Sequence, residues 1–405
     1  MKIIILLVPL ALFLSLVSYS SPLAPPIFAA TPIDDPVGAP ATSPRLAGGP
    51  DGQLIMSWLQ PDGESVALRY SHYKDGRWSD AATVIQNDDM FVNWADLPSV
   101  VPLGDRHLAA HWLRRSGGEW YSYDTVFRQS FDNGATWSSP LLPHTDGTPT
   151  EHGFVSIYPI NGSAGLVWLD GRKMLNEVMD DPTSSGMTLR AAVVNGDDAL
   201  QAEQLVDDLI CDCCQTDVAL ATSGPVAVYR DRSVDEIRDI FVTRHIDGRW
   251  QTGRPIANDN WEISGCPVNG PSISANGNMV AVAWFTAAKD PLVNVAISMD
   301  SGESFSKPIE IVRGETLGRV AIVIFDDGSF AVSWLVVADA KSSAVKVRKV
   351  MDDATLGPVH VVTDSATGLS VPQMVRTNDE LIFAWTKTKN DGVHVASASV
   401  AIDSL

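Results

Sequence analysis

The chain has 405 residues, with 49 acidic against 29 basic side chains and a formal net charge of −20. That balance excludes nucleic acid and an anionic membrane surface as partners, because both repel an acidic protein. The length alone allows two or three domains, but an internal repeat overrides such a count.

Met1-Lys2 is followed by the apolar run Ile3 to Val17 and the small residues of Ser18-Tyr19-Ser20. One positive charge before a short apolar core predicts a secretory signal over residues 1–20 and a secreted or periplasmic protein. The run is short for a membrane span, and no cysteine follows it to carry a lipid. Residues 21–42 are rich in Pro and Ala and read as a linker or a closing strand.

From residue 43 to 405 the sequence alternates short strands with Gly, Asp and Asn turns, an all-β pattern. One strand type recurs and ends in an aromatic residue: Trp58, Trp112, Trp168, Tyr229, Trp284, Trp334 and Trp385. Successive aromatics are 54, 56, 61, 55, 50 and 51 residues apart by subtraction. Such a period fits one four-stranded blade per repeat, so the expected fold is a β-propeller of seven blades, with six as the alternative. The last repeat ends in Val393 to Val400 with little chain left for a fourth strand. An N-terminal segment can supply that strand and remove two free sheet edges.

Four turns share a second pattern. Ser130-Phe131-Asp132-Asn133-Gly134-Ala135-Thr136-Trp137 and Ser298-Met299-Asp300-Ser301-Gly302-Glu303-Ser304-Phe305 are full copies. Ser71 to Trp78 and Thr243 to Trp250 are degenerate ones. The Asp accepts hydrogen bonds from its own turn, the Gly supplies a positive φ, and the aromatic anchors the loop. These stretches resemble the Asp-box of the sialidase-like (BNR-repeat) β-propellers. The resemblance implies a turn between the third and fourth strands of a blade, structural rather than catalytic, and a carbohydrate or other small ligand at the channel mouth.

Because strands alternate in direction, residues about sixteen before each aromatic start the inner strand at the opposite face. Those positions hold Asp96, His152, Cys213 and Cys214, and Cys266, with Arg319 near the equivalent place in the sixth repeat. The ends of the second strands add Asp170, Arg172, Arg230, Asp231, Arg232, Lys289 and Asp290 to the same rim. Cys211, Cys213, Cys214 and Cys266 are the only thiols. An exported protein with four cysteines suggests disulfides, here a staple between two blades. The sharper reading is a soft-metal site for copper or zinc, with His152 as the candidate imidazole. Both stay open on the sequence.

The resemblance to sialidases also implies a chemistry: an arginine clamp on the substrate carboxylate, an Asp acid/base and a Tyr–Glu nucleophile pair. Asp96 lies between the first two repeats, where the acid/base belongs, and Arg230, Arg232 and Arg319 are the mouth-facing clamp candidates. The family's early Arg-Ile-Pro signature is absent, and no tyrosine follows Tyr229. The sequence therefore favours a non-catalytic binding or metal-handling envelope protein. The alternative is a glycoside hydrolase of sialidase-like type acting on an acidic sugar.

Overall fold

The computed structural model describes residues 28–405 apart from 119–120, 177–185 and 202. The expected signal segment, 1–20, lies outside the described residues. Seven antiparallel sheets follow one another along the chain. The first blade has Thr42–Gly48 innermost, then Leu54–Asp62, Ser65–Lys74 and Ala82–Asn87. The seventh runs Gln373–Arg376, Glu380–Lys389, Gly392–Ala401. Its fourth strand is Ala30–Ile33, which pairs antiparallel with Gly392–Ala401 in the register Ala30↔Val400. The N-terminal segment thus closes the ring, and the sheets number seven rather than six. Blade 2 is the thin one: among the described residues only the single bridges Phe127↔Leu141 and Tyr123↔Glu151 extend it beyond Tyr123–Ser130.

All seven aromatics lie on second strands, but inside them rather than at their ends. Tyr229 is one residue from the end of Gly224–Arg230, and Trp58 is four from the end of Leu54–Asp62. The reason is packing. The hydrophobic core is divided into clusters between neighbouring blades, and each aromatic fills the gap toward the blade before it. Trp284 sits with Val226, Val228 and Val242 of blade 4, and Trp334 with Ala281, Ala283 and Val293 of blade 5. Trp58 closes the circle, packed with Ile382, Ala384 and Val395 of blade 7. A ring held by such wedges needs an aromatic at mid-sheet height, where the cluster is thickest.

The two full turn motifs make the same four hydrogen bonds. The Ser130 hydroxyl donates to Asp132 Oδ1 at 2.8 Å and accepts from Gly134 N at 2.8 Å, while Asp132 accepts from Thr136 N at 2.8 Å and Thr136 Oγ1 at 2.6 Å. Ser298, Asp300, Gly302 and Ser304 repeat this at 2.6, 2.8, 2.8 and 2.5 Å. Both follow the third strand of a blade, Tyr123–Ser130 and Leu292–Ser298. The degenerate copies are tight hairpins: Asp75-Gly76 and Asp247-Gly248 have φ of 51° and 80°, and 51° and 79°. Two successive positive φ values give the turn twist that joins adjacent antiparallel strands.

Candidate functional site

The crossovers that carry the chain from one blade's outer edge to the next blade's inner strand all lie at the face opposite these turns. The register argument holds here: Asp96 is in the first crossover, His152 opens the inner strand of blade 3, and Cys211 to Cys214 and Cys266 occupy the next two crossovers. Gln215 ties two of them across the ring, its Nε2 donating to Ala95 O at 2.6 Å.

Cys211, Cys213 and Cys214 have their sulfurs within 4.8 Å of one another. Cys211 Sγ and Cys214 Sγ are 3.5 Å apart, and Cys213 also contacts the exposed Cys266 from the following crossover. All four are free thiols rather than disulfides. The Arg238 Nη1 donates to Cys211 Sγ at 3.3 Å, and the backbone N–H of Asn269 donates to Cys214 Sγ at 3.4 Å. Contacts from the Cys213 and Cys214 thiols, aided by the positive charges of Arg238 and Arg230, hold the Cys211 thiol far below its usual range. The Cys213 contact lowers Cys266 too, while its thiol neighbours push Cys213 up and burial pushes Cys214 up. One thiolate accepting from neighbouring thiols beside a guanidinium is a nucleophile and a soft-metal ligand.

The arginines expected to clamp a carboxylate are otherwise engaged. Arg230 is 1% exposed and donates to the carbonyls of Asn269, Arg238 and Phe285 at 2.6–3.1 Å, with its guanidinium 4.9 Å from the Trp261 ring centre. It ties blades together. Arg232 is paired with Glu236 at 2.5 Å and lies 3.5 Å from Asp212. Arg319 stacks on Trp94 at 4.6 Å, donates to Ser370 O at 3.0 Å, and lines a central channel of about 670 Å³ with Arg45 and Asp217.

His152 is not with the thiols. Its Nδ1 faces Thr150 O at 3.2 Å and Tyr123 O at 3.4 Å, its Nε2 faces Asp146 Oδ2 at 3.3 Å, and its ring stacks on His144. The imidazole expected for the thiol site therefore belongs to a different cluster. Asp170 and Arg172 join it there, paired at 2.6 Å.

Asp96 lies in a third group. Its Oδ2 accepts from Phe154 N at 2.9 Å and is 3.2 Å from the Tyr123 hydroxyl, which is 2.6 Å from Glu151 Oε1. One phenol proton cannot serve two carboxylates, so one carboxyl must bring its own. Burial pushes Asp96 up to about 7, against the hydrogen bonds from Phe154 and Tyr123. Burial likewise pushes Glu151 up to about 7. Tyr123 and Asp96 are 0% and 1% exposed. Tyr123, His144, Asp146 and Arg238 escaped the sequence reading. Tyr123 and Arg238 sit just where third strands approach the rim, a position that the offset from the aromatic does not sample.

With this geometry in hand, the fold can be compared. A protein of unknown function from Dyadobacter fermentans superposes with a TM-score of 0.52 at 14% identity, over 92% of this chain and 98% of that one. The fold is a seven-bladed β-propeller. The endosialidase of phage phi92 matches at a TM-score of 0.49 and 10% identity over 93% of this chain and 69% of its own, and NanB at 0.46 and 12% over 95% and 72%. No family model matches the sequence, and no curated protein does. At such identities the likeness concerns the fold, and the propeller has to be assigned a role from its own side chains.

Proposed function

We propose that this sialidase-like propeller is an exported, non-catalytic soft-metal-binding protein that holds Cu(I) or Zn(II) at the channel mouth. The observation that supports it is the meeting of four thiols from two successive crossovers, with the Cys211 sulfur accepting from Arg238. Cys211, Cys213, Cys214 and Cys266 would supply the sulfur ligands. Arg238, donating to Cys211, is the outer-shell partner that orients a ligand and offsets surplus thiolate charge. Soft sulfur ligands select Cu(I) or Zn(II) over hard cations. The reduced protein, titrated anaerobically with Cu(I) against a chromophoric chelator, is expected to bind one ion per chain. Cys211→Ser and Cys266→Ser should each weaken that binding at unchanged fold. If Cys266→Ser instead lowers the melting temperature of protein that binds no metal, the cysteines form a staple.

A second reading is favoured by one observation, the Tyr123 hydroxyl held between the carboxyls of Glu151 and Asp96. A tyrosine hydrogen-bonded to a glutamate, with a protonated aspartic acid beside it, has the parts of a nucleophile and a general acid for cleaving the glycoside of an acidic sugar. Near-complete burial of Tyr123 and Asp96 weighs against it. The expected outcome with a fluorogenic sialoside is no release. Turnover that disappears in Asp96→Asn would establish the hydrolase instead.

A further inference from the structure

Between blades 2 and 3 a second group of ligating side chains is buried apart from the thiols. His144 lies in the crossover and His152 at the start of the blade 3 inner strand, with rings stacked at 3.9 Å and 6°. Asp124 starts the last main strand of blade 2, Asp146 is in the crossover, and Asp170 ends the second strand of blade 3. The side chains of His144, His152 and Asp170 are 1%, 0% and 0% exposed, and those of Asp124 and Asp146 are 10% and 9%.

From these residues we infer a divalent metal site held by His144 Nε2, His152 Nε2 and Asp124, with Asp146 and Asp170 at its edge. Three observations converge on it. The ligating atoms of Asp124, His144 and His152 lie within 4.8 Å of one another, and so do those of Asp146, His152 and Asp170. His144 Nε2 is buried with no hydrogen-bond partner among the described residues, and it points at Asp124 Oδ1 3.8 Å away. The other nitrogen of each ring already has an oxygen partner: His144 Nδ1 lies 3.3 Å from Asp146 Oδ1, and His152 Nδ1 is next to the Thr150 and Tyr123 carbonyls.

This is how ligating imidazoles are held. A second-shell oxygen takes the proton on one nitrogen, fixes the tautomer and leaves the other nitrogen's lone pair for the metal. Without an ion, His152 Nε2 directs that lone pair, or a proton, at two carboxylates, and His144 Nε2 has no bonding partner. Nitrogen and carboxylate ligands select borderline divalent ions of the zinc, cobalt and iron(II) type, not the soft ion suited to the thiols. Zinc ligands about 2.0–2.2 Å from a tetrahedral ion stand about 3.3–3.6 Å from one another. His144 Nε2 and Asp124 Oδ1, 3.8 Å apart, are already near that spacing; the remaining ligands close by up to about 1 Å, and one of the two stacked rings turns so that both in-plane lone pairs meet at the ion. Arg114 on Asp124 at 2.9 Å and Arg172 on Asp170 at 2.6 Å and on Asp146 at 3.3 Å compensate the remaining carboxylate charge. The ion would clamp blade 2, which has no regular fourth strand among the described residues, to blade 3.

Co(II) is a probe that separates the two sites. Full-length protein with its thiols alkylated is expected to bind one Co(II) per chain, with a ligand-field spectrum free of sulfur-to-cobalt charge transfer and with displacement by Zn(II). His144→Gln and His152→Gln, also alkylated, should each weaken Co(II) by more than about 100-fold, beyond the usual cost of losing a second-shell partner. Both should keep the circular dichroism of the parent, and unalkylated His144→Gln should keep its Cu(I) stoichiometry. If alkylated protein binds no Co(II), or if both variants bind it as the parent does, the site does not exist. Loss of Cu(I) binding in Cys266→Ser with Co(II) binding intact would bear on the thiol site alone.

Discussion

Two glycines with nearly the same backbone show what a single position is held by. Gly134 and Gly76 have φ of 85° and 80°, so any other L-residue is strained at either by roughly 1 kcal/mol. A Cβ at Gly76 would meet nothing within 4 Å, whereas at Gly134 it would lie 1.8 Å from the buried Tyr70 hydroxyl. Gly134→Ala is therefore expected to cost the strain plus an overpacking penalty of about 1–3 kcal/mol, and Gly76→Ala the strain alone. Equal losses in urea denaturation would mean that the close approach to Tyr70 is not tight in solution. Asp132→Ala, which removes three hydrogen bonds of an exposed turn, should lower the melting temperature and leave Cu(I) and Co(II) binding unchanged. Loss of either metal at unchanged stability would give that turn a functional role. Such turns were legible because every partner lies within four residues. Arg230 was not, since its carbonyl partners at Asn269 and Phe285 are 39 and 55 residues away and backbone acceptors leave no trace in the sequence. His152 was legible as a rim residue but was given the wrong neighbours, because equal offsets fix height on the ring and not which way a ring nitrogen points.

At the scale of strands, closure depends on four residues. Ala30–Ile33 covers the edge of Gly392–Ala401, and Ile33 joins the cluster that seals blade 7 to blade 1. Deleting residues 28–36 exposes a ten-residue edge strand, an open template for pairing. Light scattering is expected to show dimers or larger species, together with a lower melting temperature. A monomeric truncated protein of parental stability would show that the closing strand is dispensable. The wedges make a parallel case: Trp284→Ala, fully buried between blades 4 and 5, should cost about 3–5 kcal/mol. Blade number and the closing strand could both be foreseen, because a repeat period and a missing fourth strand are counting facts. The thinness of blade 2 could not. Pro140 and Pro143 lie where a fourth strand would run, and proline removes the N–H that a ladder needs, yet nothing in the period of the aromatics reports it.

Over the whole molecule, buried acids set the dependence of stability on pH. Burial raises Asp96 from 3.8 to about 7, and partial burial, with Asp207 and Asp239 nearby, raises Asp231 from 3.8 to about 8. A carboxyl whose folded pKa exceeds its unfolded value is protonated in the native state while the unfolded chain is already ionised. Between about pH 4 and 8 the native protein therefore holds more protons, and unfolding becomes easier as pH rises. Each unit of such a shift corresponds to about 1.4 kcal/mol against the ionised form, so these two groups alone tilt the balance by several kcal/mol. The formal charge of −20 acts in the same direction, since self-repulsion grows as the last acids ionise. Histidines that burial holds below their usual range, His111 at about 3 foremost, act the other way below about pH 6.5, so the melting temperature is expected to be higher at pH 7 than at pH 8.5. Asp231→Asn removes the ionisable group and the burden of charging it, so its melting temperature should approach or exceed the parent's at pH 8.5 and fall short of any gain at pH 5.5. A variant whose difference from the parent is the same at both pH values would show that Asp231 is ionised in the native protein and that burial does not hold its proton in place.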